Sequence, residues 1–129
     1  MKRGQIGLHH SKFCIKRFDV TILHYAACFF AGLFLCNSIP HLTAGLRGEP
    51  FPSPFAKPPG QGHSSALVNF LWGTSNLFVG IVLFLLVSFV PGWNMETALA
   101  AIAFLLIGIP MSRNFEKVRL SRSPNKDAN

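Results

Sequence analysis

Apolar positions in this chain do not alternate with charges at a helical or strand period; they collect in three long blocks separated by polar punctuation. The first block, residues 20–39, reads VTILHYAACFFAGLFLCNSI. At a rise of 1.5 Å per residue such a segment reaches about 30 Å, the thickness of a hydrocarbon core. Pro40 follows and is expected to end the helix. The second block, residues 66–90, is long enough to cross with tilt. Ser64 and Ser65 precede it as candidate caps, and Pro91-Gly92 is expected to stop it. The third block, residues 94–112, is the shortest and richest in Ala, with Pro110 and Arg113 expected to close it. The pattern predicts an all-α membrane protein, a bundle of three transmembrane helices. A basic segment (1–19) precedes the membrane domain (20–112), a Pro/Gly-rich loop (40–65) lies inside it, and a basic tail (113–129) follows. The shortness of the third block leaves open a segment that dips in without crossing. The first block is read as a retained span: its apolar run exceeds the usual length of a signal peptide, and no small-x-small cleavage site follows.

Within lipid, helices associate through small residues and interhelical hydrogen bonds. The second block carries Asn69, Gly73, Asn76 and Gly80 at spacings of four, three and four, which places them on one helical face. Asn side chains facing hydrocarbon would be left unsatisfied, so this face is expected to meet another helix or a wet cavity. Ile81, Leu85, Leu86 and Leu77 are expected toward lipid. The first block offers a matching face of His24, Ala27, Cys28, Ala31 and Gly32, and the third offers Thr97, Ala100, Ala101 and Gly108 around Phe104. His24, an ionisable residue within a span, is read as a hydrogen-bonded structural group near headgroup depth beside Tyr25, with proton relay or metal ligation as alternatives. Trp72 and Trp93 fall near the ends of the second block, where amphipathic rings favour the interface.

The loop is the most distinctive stretch. Pro40, Pro50, Pro52, Pro54, Pro58 and Pro59 fix φ and lack a donor, which favours polyproline II over helix or ladder. Phe51 and Phe55 are not linker residues, and they are read as anchors of a stiff loop at the headgroup zone or the mouth of the bundle. In polyproline II geometry the two rings lie about 12 Å apart, which suits two separate contacts. The run from Gly48 through Glu49-Pro50-Phe51-Pro52-Ser53-Pro54-Phe55-Ala56, then Pro58-Pro59-Gly60-Gln61-Gly62-His63-Ser64-Ser65, then Asn69, Trp72-Gly73 and Asn76, resembles a group of small uncharacterised bacterial integral membrane proteins. Pro40-His41 with Gly45 belongs to the same pattern. The resemblance covers residues 40–80, implies a membrane protein and implies no activity.

Composition sharpens this picture. Half of the 129 residues are apolar, 13 are Phe, and 13% are charged, against roughly 25% in soluble domains. The net charge is +7, but its distribution does not call for nucleic acid. Basic residues flank the apolar blocks: Lys2, Arg3, Lys12, Lys16 and Arg17 before, and Arg113, Lys117, Arg119, Arg122 and Lys126 after. Only Arg47 and Lys57 lie in the loop, and none in the turn 91–96. Three spans put the termini on opposite sides, so an inward C-terminus gives 7 basic residues inside (2 + 5) against 5 outside (5 + 0). That narrowly favours a cytoplasmic C-terminus and loop.

No catalytic set emerges. CxxC, HExxH, P-loop and GxGxxG motifs are absent, and the acidic residues Asp19, Glu49, Glu96, Glu116 and Asp127 form no pair in sequence. Cys14, Cys28 and Cys36 make no disulfide framework. His9, His10 and Cys14 have metal-ligating chemistry, but no helix is predicted there to gather them. His41 and His63, with Arg47, Glu49 and Lys57, are expected at one polar mouth. No cofactor and no enzymatic activity are expected. The leading reading is an accessory or structural membrane protein that packs with itself, as a homo-oligomer, or with a larger membrane complex. An oligomeric permeation unit using the Asn stripe, and a redox subunit using His24, His41 or His63, stand as alternatives.

Overall fold

The computed structural model describes the backbone of residues 5–122 and the side chains of residues 20–121. The elements run α1 (Gln5–Leu46), β1 (Phe51–Pro52), β2 (His63–Ser64), α2 (Ala66–Leu86) and α3 (Met95–Arg122). Three segments, Val20–Leu46, Ala66–Leu86 and Met95–Ser121, are long and apolar enough to cross a membrane. The fold is all-α with three such helices, and the third is a full-length span candidate.

Helix ends differ from the expectation in instructive ways. α1 begins at Gln5, inside the segment where no helix is predicted, and continues through Pro40 to Leu46. Proline interrupts a membrane helix less than a soluble one, because nearby hydroxyls can serve the disturbed carbonyls. Here Ser38 Oγ donates to Leu35 O at 2.7 Å, one residue before the Cys36 carbonyl that Pro40 leaves without its helical donor. Thr43 Oγ1 lies 2.9 Å from Ile39 O and 3.0 Å from Pro40 O. α1 is closed instead by Gly48, two residues beyond Leu46, whose φ of 72° is the left-handed conformation that ends a helix. Gly48 N donates to Gly45 O and Glu49 N to Ala44 O, the paired bonds of a Schellman cap.

α2 stops at Leu86 rather than at Val90. Ser88 takes φ 51°, Ser88 N donates to Leu85 O, and Phe89 N donates to Phe84 O. The rings of Phe84 and Phe89 stack at 4.0 Å, the apolar contact that accompanies this cap. At its start, Ser65 caps α2 by accepting from Val68 N. α3 passes both Pro110 and Arg113. Beyond Ser112 the sequence turns polar, but Arg, Glu and Lys are good helix formers, so the helix outlasts its apolar block.

The loop is not free polyproline II. β1 and β2 pair antiparallel, Phe51 opposite Ser64 and Pro52 opposite His63. A two-residue ladder leaves room for a proline at its edge. Ser53 O closes the turn by accepting from Ala56 N at 3.3 Å and Gly60 N at 2.9 Å. Ser53 Oγ meets Ser64 Oγ at 2.6 Å.

α1 is the hub: it packs on both α2 and α3, which scarcely touch each other. Two seams of small residues allow this. Toward α2, a Cβ on Gly73 would lie 2.7 Å from Leu42 N, one on Gly45 2.6 Å from Phe70 N, and one on Gly80 2.9 Å from Leu35 Cγ. Toward α3, a Cβ on Gly32 would overlap Ala100 O, and one on Gly108 would sit 3.1 Å from Cys36 Sγ. Cys28 and Ala31 are fully buried, as is Ala103 of α3. Of the face expected on the third block, Ala100 and Gly108 lie on the seam, whereas Ala101 and Phe104 are exposed. The seam is built around Ala103, which is small enough for backbone approach where Phe104 is not.

Candidate functional site

The stripe on α2 is wholly internal. Asn69, Gly73, Asn76 and Gly80 are its buried residues. Asn69, without exposure, ties three parts of the chain together. Its Nδ2 lies 3.1 Å from each of Phe51 O, Ser64 O and Ser65 O. Two hydrogens serve three carbonyls, so one of them is shared. This surrounding of acceptors fixes the amide, and its Oδ1 must accept. His41 Nδ1, 2.8 Å away, therefore donates, which places a proton on Nδ1. Asn69 thus joins α1, both loop strands and the cap of α2.

Two further polar links hold the helices. Asn76 Oδ1 accepts from Asn37 Nδ2 at 3.0 Å while its own Nδ2 donates to Trp72 O at 2.7 Å. His24 Nε2 lies 2.8 Å from Glu96 Oε1, linking α1 to the first turn of α3. His24 also meets Tyr25 edge to face at 5.4 Å. His24 is therefore separate from the stripe on α2 and belongs to the opposite end of the molecule. Trp72 Nε1 is buried without a hydrogen-bond partner; its ring stands 6.5 Å from that of His41.

Phe51 and Phe55 engage different partners. Phe51 packs on His41 at 5.6 Å and on Phe115 of α3 at 4.6 Å. Phe55 meets Trp72 edge to face at 5.1 Å and stays 61% exposed. Beside Phe51 a cleft of about 750 Å³ opens between the loop and α3. Arg47, Glu49 and His63 line it from the loop side, and Phe115, Glu116 and Arg119 from α3. Arg47 pairs with Glu49. Of the residues expected at a polar mouth, His41 lies buried beneath Phe51, and Lys57 does not line the cleft.

A scan of protein-family models and searches of curated proteins and solved structures return no match.

The chemistry of the arrangement follows from its own bonds. Among the described residues no three His, Cys, Asp or Glu side chains gather as a metal site. The side chains of His9, His10 and Cys14 lie outside the described residues. Sequence reasoning missed Asn37, Glu96, Phe115, Glu116 and Arg119. Glu96 stands 72 residues from His24, and no periodicity connects positions so far apart. Glu116 and Arg119 had one legible signal, their spacing of three on a helix that outruns its apolar block.

Proposed function

We propose that this chain is a non-enzymatic integral membrane protein of a bacterial cell (inner) membrane, an accessory or structural component that packs with itself or with a larger membrane complex. The carrying observation is the lean docking of α3. Its only buried residue among those described is Ala103, and it touches the rest of the helical body through one seam on α1. Ile102, Leu105, Leu106 and Ile109 remain exposed. The polar groups available to work on a solute are engaged inside: Asn69 serves α1 and the loop, Asn76 serves α1, and His24 serves Glu96. The loop motif supports the bacterial assignment.

Cross-linking in native membranes, followed by purification in mild detergent, tests this. The expected result is a cross-linked homo-oligomer or a copurifying membrane partner whose contacts map to α3. A strictly monomeric species without a copurifying chain would count against the proposal.

A further inference from the structure

Gly108 leaves a dent in α3 where that helix meets Cys36 of α1. Around it lies a groove of about 410 Å³, lined by Phe104, Leu105, Gly108, Ile109, Ser112 and Arg113. Only Ser112 and Arg113 are polar, and both stand at one end. Ser112 also lines the cleft beside Phe51, so groove and cleft adjoin there. Measured from Met95, Gly108 stands about 20 Å along the helix axis, Arg113 about 27 Å and Arg119 about 36 Å. A hydrocarbon core is about 30 Å thick, so the apolar groove lies within it while the long side chain of Arg113 reaches its edge.

The charges along this path favour an anion. The groove holds one cation, Arg113, and no acidic residue. In the cleft, Arg47 and Glu49 neutralise each other, which leaves Arg119 and Glu116. Over both concavities three arginines face two glutamates, a surplus of one positive charge. Among the described residues neither Arg113 nor Arg119 is joined to a partner by a hydrogen bond or ion pair. A monoanion cancels the surplus, whereas a zwitterion brings a cation of its own and leaves the surplus standing. An apolar track that ends in an unpaired guanidinium matches an amphiphile with an anionic head on an acyl chain. We infer that groove and cleft bind an anionic glycerophospholipid of the phosphatidylglycerol type, its acyl chain over Gly108, its phosphodiester on Arg113 and its glycerol head toward the cleft. Ile102, Leu106 and Pro110 lie outside this lining and leave the rest of the helix to a protein partner. This rests on the membrane reading above.

The test is native mass spectrometry of delipidated protein supplied with phosphatidylglycerol, phosphatidylethanolamine, glycerophosphate or inorganic phosphate. Phosphatidylglycerol should be retained in preference to phosphatidylethanolamine. The two soluble compounds should not compete, because they lack the chain. Arg113→Gln should weaken phosphatidylglycerol retention about tenfold, the loss of a charge-assisted bond to phosphate. Lys117→Gln removes the same charge from the same end of α3 but outside both linings, and should leave retention unchanged. Both side chains are exposed, so neither change threatens the fold. Equal retention of the two lipids by the wild type, or competition by either soluble phosphate, would overturn the site. So would an Arg113→Gln variant that loses no more than Lys117→Gln, since retention would then owe nothing to this guanidinium. Alkaline extraction of membranes runs alongside. A wild type that stays in the membrane without lipid preference overturns the lipid site alone, and one released by alkali overturns the membrane reading as well.

Discussion

Single side chains hold this molecule at few points, so individual substitutions should have uneven effects. Asn69→Leu removes a donor shared by three carbonyls and the acceptor of His41. Leaving buried polar groups unsatisfied costs about 1–3 kcal/mol, and unfolding in mixed detergent should show a loss of that order. Gly32→Ala and Gly80→Ala make a sharper pair. At Gly32 the new methyl meets the backbone of Ala100, which cannot step aside; at Gly80 it meets Leu35 Cγ and Cδ2, side-chain atoms that can shift, with the backbone oxygen of Ala31 at a looser 3.3 Å. Overpacking typically costs about 1–3 kcal/mol, and that range is expected for Gly32→Ala, with a smaller change for Gly80→Ala. Equal losses in a thermal melt would contradict the two-seam packing. The stripe on α2 was legible in advance because its spacing matches a helical face. Its partners were not, since Asn37 and His41 belong to another helix and pairing across helices leaves no local pattern.

At the level of elements, the legible features were the apolar blocks, and the illegible ones were their ends. Pro40 and Pro110 look like stops, yet each removes only one backbone donor from a helix otherwise favoured by its surroundings. The end of α2 was hidden for the opposite reason: Ser88 does the work usually given to Gly. A left-handed non-glycine residue costs about 1–2 kcal/mol. Ser88→Gly should therefore raise the stability of the α2 cap by about 1 kcal/mol, measurable as slower amide exchange in the last turn of α2. No change there would argue against the positive φ. The loop divides its two aromatic contacts unequally. Phe51→Ser, which strips contacts with His41 and Phe115, should speed proteolysis near Lys57 more than Phe55→Ser, whose ring is mostly exposed. The reverse order would show that Trp72 is the main anchor.

For the whole molecule, the helix count fixes which ends lie together. The Phe51–Phe115 contact puts the loop and the far part of α3 at one end, and the His24–Glu96 pair marks the other. Cysteines introduced at Lys57 and Ser121, both exposed, in a background lacking Cys14, Cys28 and Cys36, should label from the same side. The excess of basic residues at that end, 7 against 5, makes the cytoplasm the expected side. Labelling of both by an impermeant reagent outside intact cells would reverse this orientation, and labelling from opposite sides would break the three-span arrangement. The hub position of α1 has a bearing on biogenesis. Because α2 docks on α1 and scarcely on α3, the first two helices and the loop clasped by Asn69 have their mutual contacts available once α2 has left the ribosome. Chains fold from the N-terminal side during synthesis, so this hairpin can be complete while α3 is still unmade. The last helix then joins a finished surface, and a chain truncated after Pro91 and released into the membrane should already protect its loop from protease.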